Sequence, residues 1–328
     1  EPIAALACQL LDVDADRILG EPPAGRGLRE KALRRFRSRL LVCGNLLSWG
    51  PHAVSFAPGV DRASAWTAVA EAVRRIQRAD APAASSRLVL FKDATPQAPA
   101  GIDHLERQRY RRVETGPDMV LDLSPSWGSF DDYLASLTAK YRKAARKIAA
   151  DVEKAGFEVE PLADPGAEAD ALHDLYLQVQ RKARVRPITL ASDYVAAVAR
   201  AAGDRFRTTV VRSRDRLVGF VTTLADGPTA VGYMIGYDAE AGERAPVYLR
   251  LLQSVVADAI DFGCERLSFG RTALEPKSRL GARPVPLSLW FRHSRPIQNW
   301  LLQHMVCVGC LVSPEEVPDR NPFKDEAV

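Results

Sequence analysis

The sequence predicts an α+β protein, with mixed sheets flanked by helices and one fold carried twice in tandem. Three observations predict it. The second half reads strand, strand, strand, helix, strand, an order that needs both hairpin and crossover connections. The opening PIAALACQL echoes LVGFVTTLA at Leu217–Ala225, two apolar strands of similar length rich in small residues, as a duplicated fold would give. Between the two copies lies a stretch, Ser129–Gly156, with strong helix signals at both ends. The expected segments are a first copy over 1–128, a basic linking helix over 129–156, a second copy over 157–312 and a tail over 313–328. The first copy lacks counterparts for the leading helix and first hairpin arm of the second, so a further segment is expected before Glu1.

Each element has a local reason. Pro2–Leu11 is an apolar run of strand length, and Gly20–Gly27 is a loop rich in Pro and Gly. Leu40–Leu47 is a strand followed by turns at Gly50, Pro51, Pro58 and Gly59. Ala63–Ala79 carries apolar residues at helical spacing with a basic outer face. Leu88–Lys92 and Met119–Leu123 are short strands. Ser129 is an N-cap with Asp131 and Asp132 in the first turn, where the helix dipole favours negative charge, and Gly156 is the matching stop.

Phe157–Pro161 alternates as a strand does, and Ala167–Lys182 is an amphipathic helix. Phe206–Arg212, a turn at Ser213–Arg216, and Leu217–Leu224 form a hairpin. Ala225–Pro228 turns into a third strand, Thr229–Tyr237. A helix starts at Pro246, a residue tolerated where the first amide would be unpaired, and Gly263 stops it. Arg266–Phe269 is the fourth strand.

Composition narrows the function. The 328 residues are 47% apolar and 26% charged, ample for a globular core. A net charge of +4, from 45 basic and 41 acidic residues, permits an anionic ligand but argues against wholesale coating of nucleic acid. Five scattered cysteines give no disulfide framework, which points to a reducing compartment and a cytoplasmic protein. Only Cys307 and Cys310 form a C-x-x-C pair, without a second pair at zinc spacing, and both are read as buried thiols. No apolar run is long enough to span a membrane. His52, His104, His173, His293 and His304 make no metal constellation, and no nucleophile elbow, phosphate-binding P-loop or dinucleotide fingerprint occurs.

Lys140, Lys143 and Lys147 share one face of the basic helix and Arg142 and Arg146 an adjoining one, a candidate phosphate surface beside the bland reading of a solvated face. The second-half hairpin, the third strand ending in Gly236-Tyr237-Asp238 and the fourth ending in Phe269-Gly270 together resemble the core of the GNAT acyltransferases. The helix YLASLTAKYRKAARK at Tyr133–Lys147 and the segment GRTALEPKSRLGARP at Gly270–Pro284 are similar to those of the FemAB-like branch. The resemblance spans Leu88–Trp300 and is best from Tyr133 onward.

That resemblance implies attack of an acceptor amine on an activated acyl group lodged where the third and fourth strands part. It implies Lys277 as a catalytic cation and places Asp238, Tyr237 and Glu275 as candidate bases or relays. Arg142, Arg146, Arg244, Arg271 and Tyr248 are the candidate donor-binding residues, with Arg283 also flanking the Lys277 loop. The donor is acyl-CoA in most of the superfamily and aminoacyl-tRNA in the FemAB-like branch, and no resident cofactor is implied.

One stretch departs from the family. The phosphate loop that should open the central helix reads AEAGERAPV at Ala239–Val247, with the glycines out of step and Pro246 removing an amide. A modified CoA mode, a carrier-protein donor and a tRNA donor stay open. So do a cell-wall, lipid-like or small-metabolite amine as acceptor, and a fold that only binds a ligand.

Overall fold

A computed structural model describes residues 2–14, 37–79, 86–96, 99–183, 188–306, 318 and 320–324. Cys307, Cys310 and the Gly20–Gly27 loop lie outside them. The strands are β1 (Ala4–Leu6), β2 (Cys8–Asp14), β3 (Arg37–Cys43), β4 (Val54–Phe56), β5 (Leu88–Ala94), β6 (Arg111–Asp122), β7 (Glu158–Pro161), β8 (Phe206–Ser213), β9 (Arg216–Asp226), β10 (Thr229–Tyr237), β11 (Arg266–Ser268) and β12 (Arg283–His293). The helices are α1 (Arg62–Arg78), α2 (His104–Arg107), α3 (Phe130–Ser136), α4 (Ala139–Lys154), α5 (Ala169–Lys182), α6 (Tyr194–Ala202), α7 (Ala239–Arg244), α8 (Val247–Asp261), α9 (Leu274–Ser278) and α10 (Pro296–Val306).

By contact the chain divides into two compact units. One comprises Glu1–Pro117, Arg184–Pro187 and Val285–Glu315; the other comprises Asp118–Ala183, Ile188–Pro284 and Glu316–Val328. The basic helical region belongs to the second unit because it is amphipathic. Tyr133, Leu134, Ala145 and Val152 bury their side chains in the same core as Leu251, Leu252 and Val255 of α8.

In the first unit β2 pairs antiparallel with β3, β3 parallel with β5, and β5 antiparallel with β12. The parallel step requires a crossover, and α1 supplies it. Its Asp61 cap accepts from the Ser64 amide at 2.9 Å, and its apolar stripe buries Trp66, Val69 and Val73 against Val89 and Phe91 of β5. Each such side chain contributes about 1.5–3 kcal/mol of apolar transfer. The opening apolar run is not one strand: Ala7 interrupts it, β1 pairs with β4, and β2 pairs with β3.

In the second unit β7, β8, β9 and β10 run antiparallel in succession, and α8 crosses over to set β11 parallel to β10. Both faces of this sheet are covered, and strand alternation sorts the residues, its phase on β9 reset by the register shift at Val211/Arg212. Val211, Val218 and Val221 face the α8 core, while Val210, Leu217 and Phe220 join Leu172 and Leu175 of α5. Helix α5 lies so close that a side chain at Gly236 would meet the Leu175 and Tyr176 backbone at 2.7 Å. Both units thus contain strand, antiparallel strand, helix, parallel strand: β2-β3-α1-β5 and β9-β10-α8-β11. Of the opening run, Cys8–Leu10 lies in β2, the counterpart of β9, whereas Ala4–Leu6 forms β1.

The expected single helix over Ser129–Gly156 is two. Ser129 caps α3, accepting from the Asp132 amide at 3.3 Å, and Gly156 closes α4 with φ +75°. The break falls at Leu137–Thr138, where Leu137 is extended and bridged to Phe323, and the Thr138 amide reaches the Pro322 carbonyl at 2.9 Å. Tertiary pairing with the C-terminal strap outweighs helix propensity there.

Candidate active site

The site begins where β10 and β11 separate. Their parallel ladder joins Thr229 to Arg266, Ala230 to Leu267 and Val231 to Ser268, and stops. Strand β10 continues to Tyr237 along β9, with a bulge between Gly232 and Met234. Strand β11 instead follows β6, with Leu267 opposite Leu121 and Ser268 opposite Val120. Two further bonds extend that pairing: Phe269 N–H to the Met119 carbonyl at 2.9 Å, and Met119 N–H to the Gly270 carbonyl at 3.2 Å.

Just beyond the end of β11, beside β6, sits Lys277. It lies on α9, a five-residue helix that begins after Ala273 in a left-handed conformation, φ +53°. The expected loop is therefore a helix, turned sharply enough to aim the lysine back at the end of β11. Its residue is 3% exposed, and the ammonium donates to the Gly270 carbonyl at 3.1 Å. Burial disfavours the charged form and pulls its pKa down to about 8, while the nearby Asp118 carboxylate works in the opposite direction.

Asp118 is the residue that sequence reading missed. It opens the second unit, is 7% exposed, and accepts from Ser268 Oγ at 2.7 and 2.9 Å and from the Gly270 amide at 3.0 Å. Only its place at the head of the apolar run MVLDL hinted that it would be buried. A buried carboxylate tied to the end of β11 fixes the backbone to which Lys277 is bonded.

The other candidates are placed elsewhere. Asp238 caps α7, accepting from the Ala241 amide at 2.9 Å, and pairs with Arg216 at 3.5 Å. Tyr237 packs on the core and its ring lies 5.9 Å from that of Tyr248, whose phenol burial pushes up to about 12. Glu275 forms ion pairs with Arg279 at 2.9 Å and Arg320 at 3.0 Å, which hold its carboxyl below the usual range.

Arg142 donates to the carbonyls of Leu137 at 2.8 Å and Ala135 at 3.3 Å, finishing α3. Arg244 donates to the Ala155 carbonyl at 3.2 Å and covers the Phe157 ring at 4.9 Å. Both thus have structural partners within the second unit. Arg146 and Arg283 are exposed, and Arg271 is half-buried.

The segment leading into α8 departs from the usual phosphate loop. Residues 239–244 coil into α7, and the local amides have internal acceptors. Ala239 donates to Gln178 Oε1 at 3.2 Å, Gly242 to the Asp238 carbonyl at 3.0 Å, Ala245 to Ala241 at 3.1 Å and Val247 to Ala245 at 2.7 Å. Pro246 has no amide to give. A pyrophosphate needs unpaired amides at a helix start, and the turn ahead of α8 does not supply them in the usual manner.

Comparison with known proteins agrees with this geometry. Residues 135–278 match the family model described as the acetyltransferase (GNAT) domain. The chain is 27% identical over 192 residues to a candidate 8-amino-7-oxononanoate synthase 2 of Mycobacterium tuberculosis, covering 57% of this chain and 25% of that protein. The chain therefore spans about a quarter of the length of this curated relative. Among solved structures the fold is similar to FemX, at TM-score 0.53 and 11% identity over 82% of this chain and 83% of that one. It is similar also to the C-terminal domain of a candidate lysylphosphatidylglycerol synthetase from Agrobacterium fabrum, at TM-score 0.52 and 13% identity over 84% of each chain. No helix among the described residues is long and apolar enough to cross a membrane. The parting of β10 and β11 and the buried Lys277 both fall within the residues that match the acetyltransferase (GNAT) domain.

Proposed function

We propose that the second unit forms an amide bond at the parting of β10 and β11, with Lys277 as the catalytic cation. The carrying observation is the buried ammonium at the end of β11, held by the Gly270 carbonyl and steadied by Asp118. An acceptor amine attacks the acyl carbonyl, and the new C–N bond places negative charge on oxygen. A fixed ammonium in a site of low dielectric stabilises that oxyanion far better than water does. Collapse breaks the bond to the donor's leaving group, which takes up the proton released by the amine. At neutral pH roughly nine-tenths of a group with a pKa of about 8 is protonated, so the cation is present where it is needed. Asp238, Tyr237 and Tyr248 are read as supports for the strand end and for the first turns beyond it.

The donor follows from the segment leading into α8. With Pro246 in place of an amide and the preceding residues coiled into α7, the approach to α8 departs from the usual CoA phosphate loop, and this favours an aminoacyl ester carried on tRNA over an acyl-CoA. FemX is a fold relative, and the other relative carries lysyl transfer in its name; both are compatible with an aminoacyl donor. The acceptor is an amine, in keeping with the superfamily.

The test is direct. The full chain is incubated with aminoacyl-tRNA, or with acyl-CoA thioesters of several lengths, and a panel of amines, and the amide product is measured by mass spectrometry. Amide from aminoacyl-tRNA alone is expected. Turnover with CoA thioesters only would sink the donor assignment, and no amide from either would sink the enzymatic reading.

A further inference from the structure

A second site lies in the first unit. A cleft of about 680 Å³ is lined by Arg109, Arg111, Arg112 and Arg292, with Tyr110 and Trp300 among its other walls and Glu106 as its acid. Four arginines and one glutamate line it, and although Arg112 also reaches Glu114 at 3.6 Å, the balance is a positive field. The volume suits a nucleotide-sized ligand rather than a lone ion.

Two features show a built site rather than an accident of surface composition. The first is an unmet donor set. Arg292 Nε and the Tyr110 hydroxyl are buried atoms without a hydrogen-bond partner among the described residues, although native folds rarely leave such groups unmet. The Arg292 guanidinium packs over the Tyr110 ring at 5.5 Å, so both groups are fixed at the same wall. The second is backbone strain. Arg109 holds φ +65° at the end of α2, where its amide meets the Glu106 carbonyl at 2.8 Å. Glycine or asparagine is the natural occupant of such a closing position, and a long charged side chain there is costly. The strain puts an arginine on the cleft wall. Its carbonyl is also fixed, accepting from Asn299 Nδ2 at 3.1 Å, and Asn299 Oδ1 in turn accepts from the His293 amide at 2.8 Å.

Crowded like charges oppose one another, and Arg74, Arg78 and Arg109 all press on Arg292. A ligand of opposite charge would relieve that repulsion and accept from the unmet donors at once. We infer that this cleft binds a phosphate-type oxyanion, such as the diphosphate or phosphomonoester group of a larger ligand. Arg292 and Arg109 would supply fixed donors and Arg111 and Arg112 the rim. Planar guanidinium forks match phosphate geometry, whereas a carboxylate would engage fewer of them. The ligand could carry its phosphate as a soluble ester or as a lipid headgroup; the chemistry recognised is the same.

The probe is inorganic pyrophosphate, titrated calorimetrically into the full chain at low and at moderate salt. Binding that weakens with salt is expected, and Arg292→Gln should weaken it by ten-fold or more. Should Arg292→Gln fold poorly, Arg112→Gln on the exposed rim should still weaken it several-fold, while the Arg266→Gln control in the second unit leaves it unchanged. A parallel arm sediments the chain with phosphatidylcholine vesicles, with and without phosphatidylglycerol. Sedimentation only with the anionic vesicles, displaced by pyrophosphate, supports the site and assigns the phosphate to a lipid. Pyrophosphate binding without sedimentation supports it and assigns a soluble ester. Absence of pyrophosphate binding, or binding that neither rim nor wall variant alters, overturns the proposal.

Discussion

Lys277 and Asp238 were both expected at the strand ends, and the structure treats them differently. Asp238 has a mundane occupation: its side-chain oxygen caps α7, and it pairs loosely with Arg216. Lys277 is buried with a carbonyl for partner, and burial lowers its pKa, so its charge works against the fold. Conventional folding physics explains the aspartate completely and the lysine not at all. A desolvated cation is a candidate for chemistry, and this contrast, rather than sequence position, ranks the two.

The sharpest way to break the contrast is to remove the ammonium. Lys277→Ala should lower amide formation by about 10²–10³-fold, the usual effect of losing one oxyanion donor. Lys277→Met should be as inactive yet more stable near neutral pH. A shift from the model-peptide value of 10.5 to about 8 corresponds to ~3 kcal/mol held against the folded state. The sign gives a second handle. Between about pH 8 and 10.5 the unfolded chain binds the proton that the folded chain has released, so stability rises with pH through that window. Below about 8 the penalty is fully present. Denaturant melts across pH should show the rise in the parent protein and a flat response in Lys277→Met. Equal slopes in both would mean that the lysine is not desolvated.

Asp118→Asn comes next in size. The amide keeps the shape but loses charge-assisted bonds from Ser268 Oγ and the Gly270 amide, a loss of about 2 kcal/mol. It also removes the carboxylate that supports the Lys277 charge. The low edge of the stability window should therefore move to lower pH, and activity should fall on the alkaline side first. An unmoved edge would show that Asp118 acts on the backbone alone.

Much of this fold was legible because it is written in periods. β8, β9, β10 and α8 were read nearly residue for residue, since strand alternation and the Pro246 and Gly263 stops are local signals. The break at Leu137–Thr138 was not, because its cause is Phe323, some 190 positions away in the chain. Lys277 was reached through resemblance; its burial arises from α9, whose left-handed start at Ala273 leaves no mark in a non-glycine sequence. Asp118 was illegible for the same reason: its partners Ser268 and Gly270 are distant in sequence. The arginines at 109, 111 and 112 were plain to see, but their convergence with Arg292 depends on tertiary structure.

Asp238 supplies the smallest expected effect and the cleanest control. As an N-cap, its side-chain oxygen satisfies one otherwise unpaired amide, and replacement by alanine removes about 1 kcal/mol of helix stability. Asparagine offers the same oxygen without the charge, so Asp238→Asn should melt within a few tenths of a kcal/mol of the parent. The Arg216 contact is on the surface side, where an ion pair contributes little, and does not alter that expectation. If capping is its whole role, the asparagine variant keeps nearly full turnover and the alanine variant loses activity only as far as α7 frays. A general base gives the opposite pattern: asparagine cannot take a proton, so turnover would collapse in both variants while the melt of one stayed unchanged. Comparing rate with melting temperature across this pair therefore separates a residue that holds the strand end from one that performs chemistry there.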